Sequence, residues 1–282
     1  MKVHSLHIYP MKSARVIDLD SSDVGAWGLK GDRRYMVTDP AGKFITQREL
    51  QALAQVIAVK ADGVLHLTKA GEEGGLSVTF DPNRRIDVEV WGCHVTASVA
   101  DDRINARLSD WLGQPVKLVH ADAITQRQCN PDWAGEGVAT GFADGYPVLI
   151  TTTGSLRLLN EATMEEGAQT FGMERFRPNI VIDHDEPFAD DFWGAVDIAG
   201  IRFDLVKPCA RCIMTTQDQL TGERGGPDPM PAMRKLRMST DRRVPGVLFG
   251  WNAVPRSAGS IKIGDPISVI GQRPEGWPVR LR

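Results

Sequence analysis

The chain has 282 residues, 42% hydrophobic and 24% charged, with a formal net charge of −3, a balance that excludes an acidic disordered tail protein and a strongly basic nucleic-acid binder. A chain of this length holds one large domain or two ordinary ones and buries a core without disulfide staples. No apolar stretch approaches the ~18 residues that cross a bilayer, and Met1–His7 alternates polar and apolar residues where a signal peptide runs apolar, so a cytoplasmic protein with no membrane and no nucleic-acid partner is expected.

The first third reads as strands joined by tight turns. Tyr35–Val37 and Phe44–Thr46 flank Asp39-Pro40-Ala41-Gly42, and Val56–Val59 and Val64–Leu67 flank Ala61-Asp62-Gly63, so two hairpins are predicted. Leu76–Phe80 and Ile86–Val90 continue the period-two alternation, which suits mostly antiparallel pairing in a small barrel or sandwich. Arg103–Leu112 carries Ile104, Leu108, Trp111 and Leu112 at helical spacing, follows Asp101-Asp102 and ends at Gly113 with Pro115 beyond, which predicts a helix with both stop and start signals. Arg48–Gln55, Ser155–Glu161 (with Ser155 as its cap) and Pro231–Met238 are each predicted as about two helical turns. The rest returns to strands at 148–150, 179–182, 195–198, 201–205, 247–249 and 267–270. Many short strands with few crossover helices predict a mainly β protein of barrels, with a soft boundary between roughly residues 95 and 120.

Four cysteines, Cys93, Cys129, Cys209 and Cys212, are too few and too unevenly spread for a secreted disulfide framework. The most informative segment is Lys207-Pro208-Cys209-Ala210-Arg211-Cys212-Ile213-Met214-Thr215-Thr216, after a predicted strand. A Cys-x-x-Cys pair is compatible with a redox dithiol, half a zinc site, one ligand of a soft metal, or two buried thiols acting as small hydrophobes. Zinc lacks a second ligand pair, and a thioredoxin-like dithiol needs a following helix where Ile213–Thr216 looks extended. Arg211 and Lys207 would favour a thiolate. Several basic motifs also point to anion binding: Tyr9-Pro10-Met11-Lys12-Ser13, Gly31-Asp32-Arg33-Arg34, Thr46-Gln47-Arg48 and Arg175-Phe176-Arg177-Pro178-Asn179. Taken singly, each reads as a solvated charge. There is no Gly-x-Gly-x-x-Gly or Walker-type loop. The six histidines form no ligand pair and receive no role; no Gly-x-Ser-x-Gly elbow accompanies them, so a hydrolase is a weak option.

Together these residues resemble the MOSC proteins, the molybdenum cofactor sulfurase C-terminal domain family, in the branch with an N-terminal β-barrel that includes amidoxime-reducing components and bacterial N-hydroxylated-base reductases. The shared pieces are Ile8–Ser13, Gly28–Arg33, Phe176–Ile182, Cys209–Thr216 and Gly264-Asp265-Pro266, in that order along nearly the whole chain. The resemblance implies a mainly β fold with a few helices, an N-terminal β-barrel domain at 1–115 and a MOSC β-barrel domain at 116–282. It implies the Mo-molybdopterin cofactor, with the Cys212 thiolate as metal ligand and Cys209 only a neighbour. Lys12, Ser13, Arg33, Arg177 and Asn179 become candidates for holding the pterin and its phosphate, with Thr152 and Asn252 as further positions. The implied activity is two-electron reduction of a small N-hydroxylated substrate such as an amidoxime, hydroxylamine or N-hydroxylated base. Because the chain carries no spare cysteine set for an iron–sulfur cluster, electrons are expected from a separate ferredoxin- or flavin-type donor protein. The alternative is a cofactor carrier or sulfur-transfer module without reductase turnover.

Overall fold

In the computed structural model, which describes residues 1–280, an eight-stranded sheet forms the main frame. Its spatial order is Ile17–Leu19, Lys2–Ile8, Ile180–Asp183, Val148–Thr152, Leu248–Pro255, Ile201–Ala210, Trp193–Ile198, Ile267–Gln272. Alternating apolar positions give this sheet one buried face, where Val3, Leu6, Ile150, Ile180, Val196, Phe203 and Trp251 form a single core. Pairing within the sheet is antiparallel except between Val148–Thr152 and Ile180–Asp183. A parallel pair needs a long crossover, and helix Thr153–Glu165 lies between the two strands in sequence.

The chain's first strand is thus an inner strand of a sheet that, apart from it and the edge strand Ile17–Leu19, is built from residues beyond 147, with Leu6 opposite Ile180. That pairing carries residues 9–14 beside residues 177–179: the His7 amide donates to the Asn179 carbonyl at 2.9 Å.

A second unit holds a four-stranded sheet, Tyr35–Thr38, Lys117–His120, Cys93–Val99, Arg85–Val90, and a three-stranded one, Val56–Ala61, Val64–Lys69, Leu76–Val78. The sheets curl into half-barrels, and the protein is mainly β with a few helices. The hairpin predicted at Asp62-Gly63 forms, both residues taking positive φ (50° and 81°) as a two-residue loop matched to strand twist requires. At the other predicted hairpin, Thr38 bridges Phe44 and the Ile45 amide donates to the Val37 carbonyl at 2.9 Å. Helix Asp102–Leu112 begins with the Asp101 side chain accepting from the Ile104 amide and ends at Gly113 with φ 74°, as the sequence signals predict.

Other helices differ from expectation. The third begins at Thr153, capped by Thr152 and not by Ser155, whose hydroxyl lies 2.6 Å from that of Thr152. Arg48–Gln55 keeps only a 3₁₀ stretch, Gln51–Gln55, because Glu49 bonds back to the amide and hydroxyl of Thr46 and closes a separate turn first. The Pro231–Met238 helix is found at Met230–Leu236. Ile213–Thr216, expected to be extended, is a 3₁₀ turn: the Thr215 and Thr216 hydroxyls donate to the carbonyls of Cys212 and Ile213, which favours a turn over a strand. Among the described residues no helix is long and apolar enough to cross a membrane.

Candidate active site

Arg33 and Arg177 arrive from segments far apart in sequence and lie on the Tyr9 ring, each guanidinium carbon 4.1 Å from its centroid. Two like charges sharing one ring require a reason. Arg33 has one in Asp32, whose carboxylate takes both bonds of its Nη1 at 2.9 and 2.7 Å, while its Nη2 donates to the Arg177 carbonyl at 3.1 Å. Among the described residues Arg177 forms no ion pair with a carboxylate. It is 8% exposed and donates to Gln219 Oε1 and to the Ala14 carbonyl, both at 2.9 Å. Burial pulls its pKa down to about 10, against the opposing pull of Tyr9. Burial likewise pushes the Tyr9 hydroxyl up to about 12.

Ser13, Arg33 and Arg177 all adopt positive φ, at 64°, 43° and 52°. For residues with a Cβ this backbone is disfavoured, and such strain persists where the surroundings over-determine it, commonly at binding sites. Among the described residues, three of the seven non-glycine residues with positive φ fall among the basic motifs singled out from sequence.

A ring of glutamines ties this cluster to the cysteine loop. Gln47 donates to the Ser13 carbonyl at 2.7 Å, Gln217 to the Gln47 carbonyl at 2.9 Å, and Gln219 to the Gln217 carbonyl at 3.1 Å. Gln219 then accepts from Arg177, closing the circuit, and also donates to the Met214 carbonyl two residues after Cys212. A second tie runs from Arg211, whose Nη2 donates to the Phe176 carbonyl at 2.7 Å. Cys212 itself is exposed and free. The cation expected beside it serves the other thiol: Arg211 Nη1 lies 2.8 Å from Cys209 Sγ, and the Lys207 ammonium sits over the Trp133 ring at 5.3 Å. Ile213 and Thr216, just beyond Cys212, line a cleft of about 350 Å³ together with Gly226, Met230 and Arg234.

Lys12 is buried and bonded to the Phe142 carbonyl at 3.0 Å and to Asp144, a carboxylate that also accepts from Trp91 Nε1. Burial lowers its pKa, opposed by Asp144. The remaining sequence candidates spend their polar groups inside the fold. Asn179 accepts from the Leu149 amide at 3.0 Å and donates to the His7 carbonyl at 3.1 Å, stitching three strands. The Thr152 hydroxyl caps its helix, and its partner Ser155 accepts from the Phe188 amide, a route leading away from the arginine pair. Asn252 Nδ2 donates to the Lys207 carbonyl at 3.2 Å.

Sequence reasoning assigned no role to Asp32, Asp144, Gln217 or Gln219. Arg175 and Gln47 stood inside the basic motifs without being chosen. Five buried polar atoms around the cluster have no partner among the described residues: Tyr9 OH, Gln47 Oε1, Gln217 Oε1, Arg175 Nη1 and Arg211 Nε. Such atoms cost free energy unless something meets them, so their concentration here leaves donor and acceptor capacity unmet in one place. Arg177 is buried with no ion pair among the described residues, and Arg175 is buried with only Glu174 at 3.9 Å, so positive charge is incompletely balanced beside these atoms.

Residues 1–115 match the MOSC N-terminal beta barrel domain and residues 138–268 match the MOSC domain. The chain belongs to the MOSC family. Mitochondrial amidoxime-reducing component 1 of Homo sapiens is 29% identical over 286 residues, spanning 96% of this chain and 83% of that protein. Its Danio rerio counterpart is 26% identical over 281 residues, spanning 95% and 84%. Molybdenum cofactor sulfurase of Homo sapiens is 26% identical over 265 residues, spanning 86% of this chain but 29% of that protein. The segments that carry the arginine pair, the glutamine ring and the cysteine loop of this MOSC protein all lie within the matched residues.

Proposed function

We propose that this MOSC protein is a molybdenum cofactor-dependent reductase of small N-hydroxylated compounds, supplied with electrons by a separate ferredoxin- or flavin-type donor protein. The observation that carries the reading is the hydrogen-bonded circuit joining the loop of the exposed Cys212 to the buried Arg177, whose side chain bonds only neutral acceptors. The residues fit Mo-molybdopterin on chemical grounds: a free thiol for a soft metal, cations for a phosphate, and unpartnered amide oxygens for the N–H groups of a pterin.

In this reading Cys212 ligates the metal. Arg177, Arg33, Lys12 and Ser13 hold the phosphate and pterin, with Gln47 and Gln217 Oε1 accepting from ring N–H groups. Asn179, Thr152 and Asn252 act through the backbone they fix: Asn179 sets the distance between the strands that deliver Tyr9 and Arg177. When bound, the cofactor supplies two-electron removal of oxygen from nitrogen. The chain supplies position and charge. The 350 Å³ cleft beyond Cys212 has room for a small substrate, with Ile213 and Met230 as apolar walls and Arg234 at its margin.

The contact of Arg211 with Cys209 favours one second reading, a carrier whose Cys209 thiol holds transferred sulfur. Molybdenum content and benzamidoxime reduction separate the two. Protein purified from a cofactor-competent host is expected to carry molybdenum and to reduce benzamidoxime with reduced methyl viologen, and Cys212→Ala to lose both. Metal retained in Cys212→Ala removes the ligand assignment, and metal without turnover in the wild type leaves the carrier.

A further inference from the structure

A second constellation lies on the outer face of the first strand. Lys2–Ile8 buries Leu6 and Ile8, so Ser5 and His7 share the opposite face. The register against Ile180–Asp183 shifts between Val3 and Ser5, the kind of irregularity that re-aims a side chain. Asp18 stands directly across from His7 on the neighbouring strand. The side chains meet: Ser5 Oγ lies 2.8 Å from His7 Nε2, and His7 Nδ1 lies 2.6 Å from Asp18 Oδ1.

These contacts assign the protons. An ionised carboxylate only accepts, so Nδ1 carries the hydrogen and donates to Asp18. In the neutral ring Nε2 then accepts, and Ser5 donates its hydroxyl hydrogen to it. That is the order of a serine nucleophile, its general base and the carboxylate that orients the base, recognised by geometry and not by chain order. All three side chains line one cleft of about 320 Å³, whose walls include Leu156 and Met173 and whose lining holds the carboxylates of Asp18 and Glu174 but no lysine or arginine.

We propose that Ser5, His7 and Asp18 form a hydrolytic relay acting on small carboxylic esters that are neutral or cationic. As Ser5 Oγ bonds to the ester carbonyl carbon, its proton passes to His7 Nε2. The carbon–alkoxide bond breaks and His7 returns that proton to the departing alcohol. Water, deprotonated by the same nitrogen, then cleaves the acyl–Ser5 ester, releasing the acid and restoring the hydroxyl. No oxidant or cofactor enters, so the relay works independently of the Cys212 site. The apolar walls take the acyl group, and the two carboxylates disfavour an anionic ester.

The test uses the full chain in a Cys212→Ala background, so that the exposed thiol contributes nothing. A fluorophosphonate probe followed by peptide mass spectrometry is expected to mark Ser5, and p-nitrophenyl acetate turnover to fall at least tenfold in Ser5→Ala and in His7→Gln, a threshold set below the ~10²–10⁴-fold contribution of a general base. Probe on another residue, no probe at all, or less than a tenfold loss in either variant overturns the proposal. If Ser5→Ala does not fold, the labelling of the unsubstituted Ser5 decides alone.

Discussion

Two buried arginines make opposite predictions under the same substitution. Arg237 is 4% exposed and grips Asp191 with both Nη atoms, at 2.7 and 2.9 Å. Arg177 is 8% exposed and bonds only neutral acceptors. Replacing Arg237 by Gln strands the Asp191 carboxylate in the core, which costs about 3–5 kcal/mol. Replacing Arg177 by Gln removes a charge whose burial lowers its pKa from 12.5 to about 10 and so opposes folding by about 3 kcal/mol at ~1.4 kcal/mol per pH unit. Against that relief stand one lost hydrogen bond and the stack on Tyr9, about 1 kcal/mol each, while the amide keeps the other bond. The net change at Arg177 is then within about 1–2 kcal/mol of zero. At roughly 2–4 °C per kcal/mol, Arg237→Gln lowers the melting temperature of cofactor-free protein by roughly 6–20 °C, while Arg177→Gln changes it by about 8 °C at most in either direction. Added phosphate should raise the melting temperature of the wild type and not that of Arg177→Gln. If Arg177→Gln unfolds as early as Arg237→Gln, Arg177 is a structural strut and the anion-receptor argument is wrong.

Asp190 gives a pH test. Burial, then the charge of Asp191, raises its pKa to about 7, and its Oδ1 has no partner among the described residues. Its folded pKa therefore exceeds the unfolded value, so the folded state holds the extra proton and stability falls as pH rises from about 4 through about 7. Urea unfolding of Asp190→Asn should show a flatter profile between pH 5 and 8 and greater stability than wild type at pH 8; an unchanged slope refutes the assignment. Gly28 has φ +86°, and a Cβ there would meet the Pro147 carbonyl oxygen at 2.4 Å, so Gly28→Ala should lose more than about 1 kcal/mol by chemical denaturation. Timed iodoacetamide labelling at pH 8 should modify exposed Cys212 first and leave Cys129 last, since burial holds its thiol up at about 11; early modification of Cys129 would contradict its buried place.

Local order was legible because its causes are local. Asp101 and Gly113 bound their helix, Asp62-Gly63 turn their hairpin, and alternation marks the strands, all within a few residues' reach. Ile213–Thr216 misled because β-branched composition argues for a strand while the threonine hydroxyls, bonding back to their own loop, hold a turn. The strained backbone at Ser13, Arg33 and Arg177 leaves no composition signal, since a residue with a Cβ takes positive φ only when distant packing imposes it. Asp32 and Gln219 escaped notice for a related reason: their roles are to face arginines 1 and 42 residues away, and nothing in an isolated carboxylate or amide says which cation it will meet.

The sequence by itself determined most of the strands, the Asp102–Leu112 helix, the β-rich class, the cysteine loop and the basic motifs, because propensity, periodicity and turn chemistry are written in neighbouring residues. Only the tertiary structure decided that the first strand pairs with Ile180–Asp183. The separate pairing with Ile17–Leu19 sets Asp18 across from His7, while the long-range one brings Arg177 to the Tyr9 ring. The register of the long-range pairing is fixed by which faces of both strands bury their apolar side chains in the common core, a condition that no segment satisfies alone.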